Sequence, residues 1–334
     1  IIGSAAVAGG LVFVGTNDLR IVALSSETGD LVWEYPLHLQ PNSHPTIAHD
    51  MLYWGLRDGT LIALKYRTGE LVWTYKTGAA IYGAPTVVDG VLYVGSSDNK
   101  MYSLDALTGA ERWSRMTENW VVGSGSVDKG ILVFGGQDTE LYMLDANNGT
   151  LRLQVNLSSG VDNSTIIVND LTYVATRSGI AVAFDHTQKD TSFQKAYWRW
   201  WIQFWVWNIA PRPDLIPGLK WTRNLGGVVV GDMATNGEKL FANTTKGKLF
   251  ALNLDTGLSE WETDGGLGLV YSAPIVSGQT IIQTYANGTV RGFDISTGEM
   301  KWEISVQGIV ISSPVLVDGK LFIPTIEGNL YAIH

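Results

Sequence analysis

Cysteine is missing from all 334 residues, which excludes disulfides and thiolate chemistry and leaves the compartment open. Charge is sparse, at 16% of residues with a net charge of −9. Lys and Arg do not cluster, so a phosphate-binding surface is not expected, and nucleic acid is not an expected partner. No run of 18 apolar residues occurs, so no helix is expected to span a bilayer. The histidines His38, His44, His49, His186 and His334 show no metal-ligand spacing. The glycine-rich stretch 265–268 is not followed by the helix that a phosphate cradle needs. The reading is therefore no cofactor, no metal and no catalytic residue. Ile1 is not a methionine, and no charged-then-apolar leader is visible. A removed targeting segment or further sequence upstream is expected.

What the chain does have is a repeat. Residues 63–73 read Ala-Leu-Lys-Tyr-Arg-Thr-Gly-Glu-Leu-Val-Trp, which ends one strand, turns on Thr68-Gly69 and begins the next strand around Trp73. The pattern returns at Thr28-Gly29 with Trp33, Thr108-Gly109 with Trp113, Thr256-Gly257 with Trp261, and Thr297-Gly298 with Trp302. Trp33, Trp73 and Trp113 are spaced by 40, Leu153 stands where the next tryptophan is due, and Trp221 follows 68 residues later. One repeat thus carries 28 extra residues. A fixed period joining a turn glycine to a tryptophan marks a repeat architecture.

Within a unit, two-residue alternation predicts four strands, in the third unit over 84–88, 91–95, 101–105 and 111–114. Turns such as Asp89-Gly90, Asn236-Gly237, Asn287-Gly288 and Glu327-Gly328 predict hairpins. A sheet of 40 residues cannot bury both faces alone, so the units must stack around an axis. The predicted fold is all-β, an eight-bladed propeller of four-stranded antiparallel blades. The units span 4–35, 44–75, 83–115, 123–155, 163–223, 230–263, 272–305 and 312–334, forming one domain over 1–334. The eighth has only three strands, and its fourth is expected upstream of Ile1; otherwise the ring closes on an exposed edge. Each tryptophan needs a shallow seat on the facing sheet, and the small residues at one repeat position, Ala23, Ala63, Ser103, Ala183, Ala251, Gly292 and Ala332, ten before the tryptophan where one follows without an insertion, are the expected suppliers. The fourth unit has Met143 and Leu153 instead, a compensating exchange of volume. Asp105, Asp145, Asp185, Asp255 and Asp294 are expected to cap the turns.

The units resemble the PQQ-like propeller repeat, Ala-x-Asp-x-x-Thr-Gly-x-x-x-Trp, and the overall size is similar to the BamB-type members of that superfamily. The resemblance covers the chain apart from the insertion. It implies a propeller, with functions ranging from quinone-dependent dehydrogenases to outer-membrane assembly lipoproteins and extracellular sensors. The dehydrogenases are typically much longer, with a calcium or lanthanide and often a disulfide of adjacent cysteines. This chain has no cysteine and short loops in seven units, so a non-catalytic member is expected.

The insertion, residues 188–218 in the fifth unit, holds Tyr197, Trp198, Arg199, Trp200, Trp201, Phe204, Trp205 and Trp207. Five of the 13 tryptophans fall within ten residues, and no blade requires them. Lys195, Arg199 and Gln203, spaced by four, predict a helix over 192–209 with one narrow polar stripe, about 27 Å long. It emerges on the face of the Thr-Gly turns. Three readings compete: a cap on its own propeller, a membrane-interface segment, and an aromatic anchor in a protein partner. Sequons at Asn148, Asn156, Asn163, Asn243 and Asn287 are candidate glycosylation sites. The expected function is a non-catalytic extracytoplasmic scaffold that meets a membrane-protein complex, with ligand or sugar sensing in the central channel as the alternative.

Overall fold

The computed structural model describes residues 2–41, 43–189, 206, 207, 209, 218–264 and 268–334. They form eight antiparallel sheets, seven of four strands and one of three, each strand paired with its sequence neighbour. The blades occupy residues 2–36, 46–76, 86–116, 126–156, 166–224, 234–262, 275–305 and 315–333. Alternation sets the faces and the turns set the register. Asp89 and Gly90 both have positive φ, at 49° and 74°, as the tight turn between Thr86–Val88 and Val91–Ser96 requires. Closure is visible where Ser313 N–H of blade 8 donates to Ser4 Oγ of blade 1 at 3.1 Å. Phe322 there packs with Val12, Val14 and Val22.

The tryptophans join neighbouring blades, though not by the route expected from sequence. Ala23, Ala63, Ser103, Ala183, Ala251 and Gly292 are cross-strand partners of Trp33, Trp73, Trp113, Trp221, Trp261 and Trp302 within one blade. They clear room beneath the indole and are not the facing seat. That seat is the turn glycine of the next blade. A Cβ on Gly109 would lie 2.6 Å from Trp73 Cδ2, and one on Gly149 would lie 2.6 Å from Trp113 Cε3. The indole N–H then donates to a carbonyl of that blade: Trp33 to Tyr66 at 2.9 Å, Trp73 to Ala106 at 3.0 Å, Trp113 to Ala146 at 3.1 Å, Trp221 to Leu254 at 2.7 Å and Trp261 to Ile295 at 3.0 Å. Each docking combines apolar burial worth about 4–6 kcal/mol gross with a satisfied indole.

Blade 4 departs because its neighbour departs. The blade 5 turn Asp185-His186-Thr187-Gln188-Lys189 has no glycine, with Lys189 at the seat position, and Leu153 stands where the docking tryptophan would be. Its cross-strand partner is Met143, so the volume lost and gained lies at one opposed pair. Both are buried. The same turn brings His186 into the seam, fully buried, 3.1 Å from Thr172 Oγ1 and 3.2 Å from Asp128 Oδ2 of blade 4.

The turn caps follow expectation with one correction. Asp105, Asp145, Asp185 and Asp294 accept backbone N–H groups from their turns, but in blade 6 the acceptor is Asn253, bonded by the N–H groups of Asp255 and Thr256. Asp255 sits two residues past the capping position. Along the third strand of blade 8, Leu330–Ile333, runs a groove lined by Val12, Leu24, Gly29, Phe322 and Ala332.

Candidate functional site

The strand directions sort the loops onto two faces. One carries the third-to-fourth-strand turns, and the insertion leaves blade 5 there, between Ile180–Asp185 and Leu219–Asn224. Its base is closed by Asp185 N–H donating to the Gly218 carbonyl at 2.8 Å. Tyr197, Trp198, Arg199, Trp200, Trp201, Phe204 and Trp205 lie outside the described residues, as does most of the helix expected over 192–209. Trp207 is described and 76% exposed, flanked by Val206 and Ile209 at 68% and 72%.

The opposite face carries the links between blades, and here the structure shows a surface that sequence reasoning missed. In three consecutive links, a short extended stretch turns one valine inward and the residues on either side outward. Val229, Val270 and Val310 are buried, whereas Val228, Val230, Leu269, Tyr271, Ile309 and Ile311 are 36–50% exposed. The links are held from above by hairpin turns. Thr245 N–H donates to the Val228 carbonyl at 2.8 Å and its carbonyl accepts from Val270 N–H at 3.1 Å. Ala286 does the same for Leu269 and Val310, at 2.8 and 3.2 Å. The result is a fixed apolar arc over blades 6 to 8, of the kind that marks an interaction surface. Its signal in the sequence is the apolar triplet 228–230, which returns at 269–271 and 309–311. Across the ring, Trp120 stacks on Tyr82 with centroids 6.5 Å apart and is 44% exposed.

The arc borders an axial cavity of about 240 Å³ whose lining includes His44, Tyr82, Asp162, Asp232 and Tyr271. Gly83 lies there because a Cβ would meet the Val122 carbonyl at 2.7 Å. Asp232 is clamped by its neighbour, accepting Ser164 N–H at 2.7 Å and Ser164 O–H at 2.9 Å. Asp162 accepts from Gln137 at 3.0 Å and pairs with Arg177 at 2.6 Å. His44, open along the axis but walled by the blades, faces Asp232. Loss of solvation lowers its pKa, with the Asp232 charge opposing. Among the described residues, no group of three or more His, Asp or Glu side chains is placed to hold a metal.

The sequons divide by position. Asn163 and Asn243 are 2% exposed, and the Asn243 amide donates to the Ser272 carbonyl at 3.0 Å. The fold has no room for a glycan at either, which corrects the reading of all five as candidates. Asn148, Asn156 and Asn287 are exposed, and the Asn156 amide bonds Thr139 and Glu140 at 2.8 and 2.6 Å.

Comparison with known proteins places this geometry. The family model described as outer membrane protein assembly factor BamB matches residues 2–64, 39–199 and 206–334. BamB of Yersinia pestis is 28% identical over 149 residues, covering 39% of this chain and 38% of that protein. A polyvinylalcohol dehydrogenase of Pseudomonas sp is 28% identical over 139 residues, covering 36% and 22% respectively. The matches therefore span less than half the length of these relatives. Among solved structures, BamB from Moraxella catarrhalis superposes with a TM-score of 0.78 at 18% identity, covering 98% of this chain and 92% of that one. The quinohemoprotein alcohol dehydrogenase ADHIIG from Pseudomonas putida HK5 gives 0.71 at 15%, covering 96% and 69%. Such identities establish the fold alone. With the family model matched over nearly the whole chain, repeat, blade count and docking pattern converge, and the protein belongs to the PQQ-like β-propeller family of BamB.

Proposed function

We propose that this propeller is a non-catalytic extracytoplasmic scaffold that holds a protein partner belonging to a membrane-protein complex. The observation that carries this reading is the apolar arc of Val228, Val230, Leu269, Tyr271, Ile309 and Ile311, exposed on a backbone that hydrogen bonds keep rigid. Apolar and aromatic anchors on a pre-organised surface supply most of the energy in protein interfaces. The relatives named for outer membrane protein assembly support the membrane context. The Trp-rich insertion, on the opposite face, would add a second anchor.

The dehydrogenase relatives raise the competing possibility of a quinone held with a metal ion. The described residues do not fit such a group. The axial lining offers Asp162 and Asp232 and no Lys or Arg; Arg177 offsets Asp162, but among the described residues no Lys or Arg pairs with Asp232, so a quinone bearing several carboxylates would meet its charge with no fixed cation in the lining.

The test uses the triple variant Val230→Glu/Leu269→Glu/Ile309→Glu beside a variant with residues 193–218 replaced by a Gly/Ser turn. Affinity capture from solubilised envelope membranes should recover a membrane-protein partner with the parent and lose it with the triple variant at unchanged Tm. Liposome flotation should be lost only with the insertion variant. Undiminished capture by the triple variant would remove the arc from the interface, and turnover of an alcohol with added quinone and calcium would overturn the non-catalytic reading.

A further inference from the structure

The same acidic lining that disfavours an anionic quinone defines what the axis would accept. Asp232 is fixed by two short hydrogen bonds from Ser164, so its carboxylate is oriented before any ligand arrives. Three side chains at the mouth, Val230, Tyr271 and Ile311, are apolar or aromatic, and Tyr82 and Val122 continue that ring on the other side. His44 stands four blades away from Asp232, across the axis. Loss of solvation between the blades outweighs the Asp232 charge and disfavours the charged form of the imidazole, so His44 is a poor counter-ion for the carboxylate opposite. Asp162 already has a cation in Arg177, whereas no Lys or Arg among the described residues pairs with Asp232. The cavity thus joins an oriented anion and a largely apolar rim with two tyrosines within about 240 Å³.

We propose that the axial cavity is a binding site for a small organic cation, whose ammonium head bonds Asp232 and whose carbon body packs against the Tyr82–Val122–Val230–Tyr271–Ile311 ring. Both parts contribute. A pre-positioned carboxylate forms charge-assisted hydrogen bonds with little reorganisation, and tyrosine faces attract cations as well as apolar groups. The site does not require the apolar arc to have a partner, but the two share Val230, Tyr271 and Ile311. A ligand in the mouth would therefore be felt by whatever covers the arc.

Three probes of one shape test this: phenethylamine, 2-phenylethanol and 3-phenylpropionate, titrated calorimetrically into the 334-residue chain and followed by Tm. Phenethylamine should bind and raise Tm with concentration. The neutral alcohol should bind roughly tenfold or more weakly, as loss of a hydrogen-bonded charge predicts, and the carboxylate should not bind. Asp232→Asn keeps an acceptor for Ser164 and should reduce phenethylamine binding by at least that factor. His44→Lys, which places a cation across the axis, should abolish it without altering the Asp232 clamp. Equal binding of amine and alcohol, tighter binding of the carboxylate, or binding unchanged in both variants would overturn the proposal.

Discussion

Gly69 lies directly beneath the indole of Trp33, so close that a Cβ on it would stand 2.7 Å from Trp33 Cε3. With its φ of 74°, it serves two masters: a left-handed turn within blade 2 and a seat for blade 1. Gly109, Gly149, Gly257 and Gly298 are placed the same way against Trp73, Trp113, Trp221 and Trp261.

Gly109→Ala is expected to cost about 2–4 kcal/mol, combining left-handed strain with a clash against Trp73. Gly29 has a similar φ of 77° but nothing within 4 Å of its added Cβ, so Gly29→Ala should cost only ~1–2 kcal/mol. Urea denaturation of the two variants, read at constant slope, isolates the seat from the turn. Equal losses would mean that the ring contact contributes nothing.

Restoring the repeat at its one break should do harm. Leu153→Trp meets a blade 5 turn with Lys189 at the glycine position and has Met143 beside it, so overpacking of roughly 1–3 kcal/mol is expected. Adding Met143→Ala should recover part of that loss, because the two side chains share one cross-strand space. A double-mutant cycle on thermal unfolding measures the coupling.

At the same seam, His186 bonds Thr172 and Asp128 while fully buried. His186→Leu strands both partners and should cost about 1–3 kcal/mol. The companion Asp128→Asn, on a partly exposed residue that keeps an acceptor, should cost less. If the insertion's conformation is coupled to this seam, tryptophan fluorescence will shift in His186→Leu before global unfolding.

The limits of stability in pH follow from the caps and the buried tyrosines. The Lys301 hydrogen bond, with N–H groups of Ser296 and Thr297, holds Asp294 at about 2, below its ordinary 3.8. Arg112 and Thr108 likewise lower Asp105. A carboxylate depressed in the folded state stabilises above its unfolded pKa and loses that contribution as pH falls through the folded value. Tm should therefore decline from about pH 4 toward pH 2, and Asp294→Asn should flatten that decline. At the other end, burial pushes Tyr53 and Tyr173 up to about 12 from 10.0, while their hydroxyls donate to the carbonyls of Ala106 and Leu254. A raised pKa stabilises below the unfolded value and is lost as pH rises through the folded one. Tm should fall between about pH 10 and 12, less steeply in Tyr53→Phe.

Much of the fold is legible because it is written several times. The spacing of glycine and tryptophan announced eight units, and hairpins such as Asp89-Gly90 needed only local backbone chemistry. Position across space is not written in this way. The repeat links Ala63 to Trp73, but ten residues of separation do not say whether two side chains share a sheet, as these do, or face across sheets. Asp255 adjoins Thr256-Gly257 as a cap would, and only the strand register shows that Asn253 holds that place.

What the sequence by itself determined is the set of local instructions: strand alternation, turn glycines, a tryptophan at one repeat position in six of the units, and an insertion in the fifth. What the tertiary structure decided is which of these meet. The Trp73 indole reaches the Ala106 carbonyl, 33 residues on, because stacking sets adjacent blades face to face. The triplets 228–230, 269–271 and 309–311 become an apolar arc because each link turns only its central residue inward. His44 and Asp232 face one another because a ring of eight blades puts the second opposite the sixth, a relation that exists only once the ring is closed.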